Sequence, residues 1–171
     1  MSLLQKKSAC DVNLCNVNVA TNTKLQLKGD KMGNVGVGRT ISVFANAEMM
    51  CGTTSVCGDG IFRLEDSATL GIGSAKGINS TGTDGNIITA IRNFNSGANY
   101  CYYLNENPQS MGKFNTTPQE NTVRSIVLNK EKTSQLLTVT MPLTITEQVK
   151  INRGEIDQSK YKLLLPRLSE K

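Results

Sequence analysis

Apolar side chains recur at every second position through much of the chain. Val17 and Val19, Leu25 and Leu27, Val35 and Val37, Ile41 and Val43, and Leu70 and Ile72 show it first. The last third continues with Ile126 and Leu128, Leu137 and Val139, Leu143 and Ile145, Val149 and Ile151, and Leu163 and Leu165. A period of two points one side chain inward and the next outward, as a half-buried strand requires. Thr, Lys, Asn, Gln and Ser fill the alternate positions. Turn-forming groups separate the runs: Gly29-Asp30, Gly33-Asn34, Gly58-Asp59-Gly60, Thr83-Asp84-Gly85-Asn86 and Asn105-Glu106-Asn107-Pro108. The predicted elements are therefore short strands. No stretch carries a helical stripe; Leu163 to Leu168 is apolar enough for one turn, and Pro166 opposes more.

Spacing organises these strands. Ile41-Ser-Val-Phe44 and Ile61-Phe-Arg-Leu64 stand 20 apart, Ile126 and Ile145 19 apart, and Leu143 and Leu163 20 apart. Thr81-Gly82 and the stretch from Asn105 to Thr117 look like inserted loops. A unit of roughly 20 residues is the length of one coil of a parallel β-solenoid. Stacked coils also account for the recurrent Asn and Thr, whose side chains hydrogen-bond from rung to rung. The expected fold is all-β: a parallel β-helix or β-solenoid over residues 10–168, with 1–9 and 169–171 as flexible or capping ends. An antiparallel β-sandwich is the rival, since it too uses short alternating strands. The scarcity of tight hairpin dipeptides argues against it: Asn-Gly is absent, and Asp59 and Asp84 precede glycine only within Gly-rich loops.

Several segments in the middle of the chain share an order and spacing. They are Ala68-Thr-Leu-Gly-Ile-Gly-Ser74, Gly77-Ile78, Thr81-Gly-Thr-Asp-Gly-Asn-Ile87, Arg92-Asn-Phe-Asn-Ser-Gly-Ala-Asn-Tyr100 and Asn121-Thr-Val-Arg-Ser-Ile-Val-Leu-Asn129. Together, over roughly residues 58 to 156, they resemble a repeat segment of very large secreted or surface-attached proteins of Bacteroidetes-type bacteria. The resemblance implies an extracellular or cell-surface β-solenoid, adhesin-like and without catalytic residues to carry over. The cysteines, the insertion between Pro108 and Pro118, and the charged end Ser169-Glu170-Lys171 depart from that pattern.

Composition narrows the chemistry. The 171 residues include 38% hydrophobic side chains, enough for one domain with a core, whereas only 19% are charged. No run approaches the roughly 18 apolar residues of a membrane-spanning helix. Met1 to Ala9 lacks the apolar centre of an export signal. The net charge of +5 and a pI near 9.0 come from scattered basic residues, with a looser group from Lys150 to Arg167 among interleaved acids. A nucleic-acid footprint would cluster on one face or alternate with stacking aromatics, so no specific nucleic-acid partner is expected. A glycan or another surface protein is the expected partner class.

Histidine is absent, which removes the commonest general base and the usual partner of a Ser or Cys nucleophile. Cys10, Cys15, Cys51, Cys57 and Cys101 form two close pairs and a singleton. No pair has zinc spacing, so buried thiols or two disulfides are the readings they allow, and no metal or cofactor is expected. Gly33-Asn-Val-Gly-Val-Gly38 looks like half a phosphate loop but lacks the Gly-Lys-Ser/Thr that would complete it, leaving turn glycines. Asp59, Glu65, Asp66 and Asp84 are the acids available for glycan cleavage. Glu65 and Asp66, if in a strand, face opposite sides, and Asp59 and Asp84 occupy turn positions, so these acids do not form a catalytic pair. Tyr100, Tyr102 and Tyr103 are the one aromatic cluster. Alternation places Tyr100 and Tyr102 on one face and Tyr103 on the other; core filling by one face is the expected role, and a patch in which an outward Tyr103 stacks on sugar is the alternative. The chain is therefore expected to be a non-enzymatic structural or adhesive module, with a carbohydrate-active enzyme or glycan-binding module as the alternative.

Overall fold

The computed structural model describes residues 12–29, 33–79, 84–104, 108–114 and 121–166. Every strand pair among them is parallel, and no described residue is helical. The chain is a β-solenoid of about six coils, and the sandwich alternative falls with the parallel pairing.

Each early coil has three faces. The first coil comprises β1 (Val12–Leu14), β2 (Val17–Val19) and β3 (Lys24–Gln26). The second comprises β4 (Gly33–Val35), β5 (Thr40–Val43) and β6 (Glu48–Met50). In the third coil β7 (Val56–Leu64) covers two faces, pairing first with β4 and then with β5, and β8 (Thr69–Ile72) makes the third face. The bend inside β7 falls at Gly58-Asp59-Gly60, where Gly58 has φ +107°, a left-handed conformation that a side chain would strain. Coil four repeats this with β9 (Ile87–Phe94) and β10 (Asn99–Leu104). Beyond it come β11 (Gln109–Ser110), β12 (Thr122–Lys130), β13 (Leu136–Thr138), β14 (Leu143–Arg153), β15 (Glu155–Asp157) and β16 (Leu163–Leu164).

Register turns the alternating pattern into columns. On the third face Leu25, Met49, Leu70, Tyr100, Ile126 and Val149 are consecutive partners, one per coil. The four middle members are almost fully buried, while the two end members are half-buried. Phe62, Phe94, Tyr100 and Phe114 stack edge to face inside, with ring centroids 6.0, 6.3 and 4.8 Å apart, adding aromatic packing to the burial of their area. Outside, polar partners meet across rungs as the Asn and Thr content suggests. Asn34 Nδ2 donates to Asn13 Oδ1 at 2.9 Å, and Ser125 Oγ to Asn99 Oδ1 at 2.6 Å.

The corner between the second and third faces is the most regular feature. Ala20–Thr23, Phe44–Ala47, Glu65–Ala68 and Asn95–Ala98 each span four residues, closed by an N–H of the fourth donating to the first carbonyl. The third position is left-handed at Asn22, Asn46 and Ser67 (φ about 60°), and glycine stands there in the fourth coil. Ala47, Ala68 and Ala98 then turn inward with no exposure, because only a small side chain fits inside so tight a corner.

Several expectations need correction. Register pairs Ile41 with Phe62 and Thr40 with Ile61, a spacing of 21 rather than 20. Ile145 pairs with Val123, not Ile126, at a spacing of 22. Leu143 and Leu163 do pair at 20. Val37, Ile151 and Leu165 are 81%, 52% and 59% exposed rather than inward, the first in a turn and the others near the end of the stack, where no further rung covers them among the described residues. Leu163 and Leu164 form a strand, not a helical turn. The expectations for residues 1–9 and 169–171 and the loop at Thr81-Gly82 lie outside the described residues, as does much of the stretch from Asn105 to Thr117.

Candidate functional site

Chemistry in a stacked coil has to sit where polar side chains leave the rungs. One such place is a cleft of about 410 Å³ where the third face ends in coils four to six, lined by Tyr103, Asn129, Lys130, Glu131, Asn152 and Arg153. Register builds it. Tyr103 pairs with Asn129, and Asn129 with Arg153, so ring, amide and guanidinium stand one above another at the rung spacing of about 4.8 Å. A bulge between Leu128 and Asn129 re-aims the end of this row.

The floor of the cleft is rigid. Lys130 is 3% exposed, and its Nζ donates to Gln109 Oε1 at 2.5 Å. Gln109 Nε2 in turn donates to the carbonyls of Ile72 and Ser74, at 3.1 and 3.0 Å. At the rim, Arg153 donates to the Glu131 carbonyl at 2.8 Å. Tyr103 is half-buried. Its hydroxyl accepts the Gly52 N–H at 2.6 Å, two coils away. That reach depends on the glycines of coil three: a Cβ at Gly71 would meet Met50 Sδ at 2.4 Å and Tyr103 Cε1 at 3.1 Å. Burial raises the Tyr103 hydroxyl pKa, and the Gly52 hydrogen bond partly offsets it. Tyr103 is thus a strap across coils, not a free stacking ring, and Tyr100 and Tyr102 lie fully in the core as alternation implied.

A second polar node is buried beside it. Asn86 has no exposure and makes four hydrogen bonds. Its Nδ2 donates to the carbonyls of Gly52 (2.9 Å) and Thr54 (2.7 Å), and its Oδ1 accepts the N–H groups of Gly73 and Ser74, both at 3.1 Å. These bonds hold Gly73 and Ser74, and backbone bonds make the segment Gly77–Asn79 that follows an extra rung. Ile87 N–H donates to the Ile78 carbonyl, and Ile78 N–H to that of Met111.

The acids singled out from the sequence are not brought together into this cleft. Asp59 lies exposed on the bend of β7, and Asp84 precedes β9. Glu65 and Asp66 are in the corner after β7 rather than in a strand. Asp66 accepts a hydrogen bond from Ser67 Oγ at 2.9 Å, and Ser67 Oγ accepts one from Arg124 at 2.7 Å. Arg124 also pairs with Glu147, which raises its pKa, so this exposed network links coils three, five and six. The cleft itself contributes one carboxylate, Glu131, whereas glycosidase chemistry uses two across a gap of about 5 to 9 Å. Its amides and guanidinium can hydrogen-bond a hydroxyl-rich ligand.

Gly33–Val35 is strand β4, and the Arg39 N–H closes a turn on the Gly36 carbonyl at 3.0 Å, so the phosphate-loop lookalike is strand and turn. Among the described residues no group of three or more His, Cys, Asp or Glu is arranged to hold a metal. Cys15, Cys51 and Cys101 are free thiols, exposed, buried and half-buried in turn. Cys57 is disulfide-bonded, so the close pair Cys51/Cys57 does not join, and neither the all-reduced nor the two-disulfide reading holds. Sequence reasoning missed Asn86, Gln109 and Lys130, for no local pattern distinguishes a buried polar residue that bridges coils from a polar residue on the surface. No family model matches the chain, and neither does any curated protein or any solved structure.

Proposed function

We propose that the chain is a non-catalytic structural or adhesive module of an extracellular surface protein. The observation that carries this reading is the use of the buried polar groups: Asn86, Gln109 and Lys130 each tie successive coils together, and the polar rows outside bond rung to rung. Such a rod supplies length and a flat display surface. The disulfide at Cys57 supports an oxidising compartment, and the resemblance of residues 58 to 156 to secreted repeat segments agrees with it. The cleft favours a second reading within the same role, a glycan-binding module, because it gathers amide and guanidinium donors in one register-built row.

One experiment addresses both readings: the chain is applied to a glycan array while reducing-end release from the same polysaccharides is followed. Retention on some glycans without product is expected, with retention reduced by Arg153→Ala or Asn152→Ala. Product that disappears in Glu131→Gln would replace the structural reading with a carbohydrate-active enzyme.

A further inference from the structure

The stacking that lines the cleft with polar side chains also leaves its charges unequal. The two chain segments that build most of it, 129–132 and 150–155, carry Lys130, Lys132, Lys150 and Arg153 against Glu131 and Glu155. Lys150 is exposed at the end of the outward row Cys101, Val127, Lys150, beside the row that runs from Tyr103 through Asn129 to Arg153. The two cations that line the cleft have different tasks. Lys130 is buried, and its amine donates to Gln109. Arg153 is exposed, and of its five N–H donors it uses one on the Glu131 carbonyl at 2.8 Å. Among the described residues Arg153 forms no ion pair; the Glu131 carboxylate lines the same cleft and is not bonded to it. A backbone contact thus steadies the guanidinium while most of its donors face water, next to the exposed amides of Asn129 and Asn152.

We propose that the cleft takes an acidic glycan, with the carboxylate or sulfate of a sugar held by Arg153 and the neighbouring hydroxyls by Asn129 and Asn152. This rests on the glycan-binding reading of the cleft and adds the charge of the sugar. A planar guanidinium matches a pair of anionic oxygens and forms with them charge-assisted hydrogen bonds, roughly twice as strong as neutral ones. A neutral sugar leaves that match unused and draws nothing from the surplus of positive charge, whereas an acidic one is also attracted by Lys132 and Lys150. Glu131 works the other way, because its carboxylate opposes the anion that Arg153 attracts. The volume of about 410 Å³ falls among those of small-molecule sites, so the cleft holds a short stretch of the glycan.

The full chain is titrated with polygalacturonate, alginate and hyaluronan, each beside its methyl ester, and with dextran sulfate beside dextran. Each pair shares a backbone and differs in charge. At least one acidic member should bind about tenfold more tightly than its neutral partner, and added salt should narrow the gap. Preference within the ester pairs identifies the group as a carboxylate, and preference within the dextran pair as a sulfate. Arg153→Gln should abolish the preference and Glu131→Gln should increase it severalfold. Arg63→Gln, which removes an equal charge from an exposed position on the second face, should leave it unchanged. Amide exchange on β12 and β14 as in the parent checks the fold of each variant. Equal binding within every pair would overturn the acidic ligand and leave a neutral glycan site standing, whereas no binding to any of the polysaccharides would overturn both. Equal losses in Arg153→Gln and Arg63→Gln would trace the preference to overall charge and overturn the site.

Discussion

Tyr100 and Tyr102 stand two residues apart on β10, both fully buried, yet removing their hydroxyls should have opposite effects. Tyr102 Oη donates to the Met111 carbonyl at 3.0 Å, whereas the Tyr100 hydroxyl has no hydrogen-bond partner among the described residues. Burial raises both pKa values, further for Tyr102 through its neighbour Tyr100, so both are neutral phenols at pH 7. Tyr100→Phe keeps the edge-to-face contacts with Phe94 and Phe114 and deletes a desolvated, unsatisfied group. Such a group costs about 1–3 kcal/mol, and relaxation recovers part of it, so the variant should gain about 1 kcal/mol. Tyr102→Phe loses one neutral hydrogen bond. The Met111 carbonyl keeps the Ile78 N–H at 3.2 Å and is not orphaned, which holds the loss to about 1 kcal/mol. The two variants should therefore differ by about 2 kcal/mol, or roughly thirtyfold in the folding constant. Urea unfolding at pH 7 reads this as a midpoint that moves up for one and down for the other at an unchanged slope. Equal destabilisation by both substitutions would refute the assignment of Tyr100 as unsatisfied.

Asn86→Ala strips four backbone groups of their partner in a dry site, so it should destabilise by about 3 kcal/mol or more and loosen the Gly77–Asn79 rung first; hydrogen exchange at Ile87 before global unfolding checks this. Burial pushes the Cys51 thiol from 9.0 up to about 12 and also raises Cys101. At pH 8 a thiol reagent should therefore label Cys15 fast and Cys51 only after denaturation, and early labelling of Cys51 would contradict its burial. Because the folded value lies above the unfolded one, the stability that Cys51 contributes is complete below pH 9.0 and declines from there to about pH 12. A Cys51→Ala variant should show a shallower alkaline loss.

Much of the architecture was legible in the sequence because a solenoid writes its cross-section into every coil. The alternation at Ile41 and Val43, Leu70 and Ile72, and Ile126 and Leu128 identified inward side chains correctly. Register was harder to read. Matching Ile41 to Ile61 looks natural because both are isoleucine, yet the partner is Phe62, and a slip of one residue exchanges the two faces of a strand. The corner Phe44-Ala-Asn-Ala47, Glu65-Asp-Ser-Ala68, Asn95-Ser-Gly-Ala98 would have fixed it, since an inward alanine closes each of these turns, after a left-handed residue in the first two. The cleft was illegible for a different reason. Its residues come from Tyr103, Asn129 and Arg153, 26 and then 24 positions apart, and coils of unequal length hide that relation.

Unequal length is itself organised. The corner between the second and third faces has four residues in each of the first four coils, and in coils two to four it closes on a small inward alanine. The connection from the third face back to the first runs from Gly154 alone to the fourteen residues 73–86. A corner that must hold a buried alanine column cannot change length without moving every rung above it, whereas the opposite corner can bulge outward at little cost to the core. The cleft lies on that variable corner, where Leu104 takes φ +68° and the chain leaves the sheet. Surfaces that change without disturbing a rigid scaffold are where binding residues accumulate. Substitutions at Asn129, Glu131, Asn152 and Arg153 should therefore alter recognition while leaving the stack intact, unlike a change at Lys130, whose amine ties the floor of the cleft to Gln109.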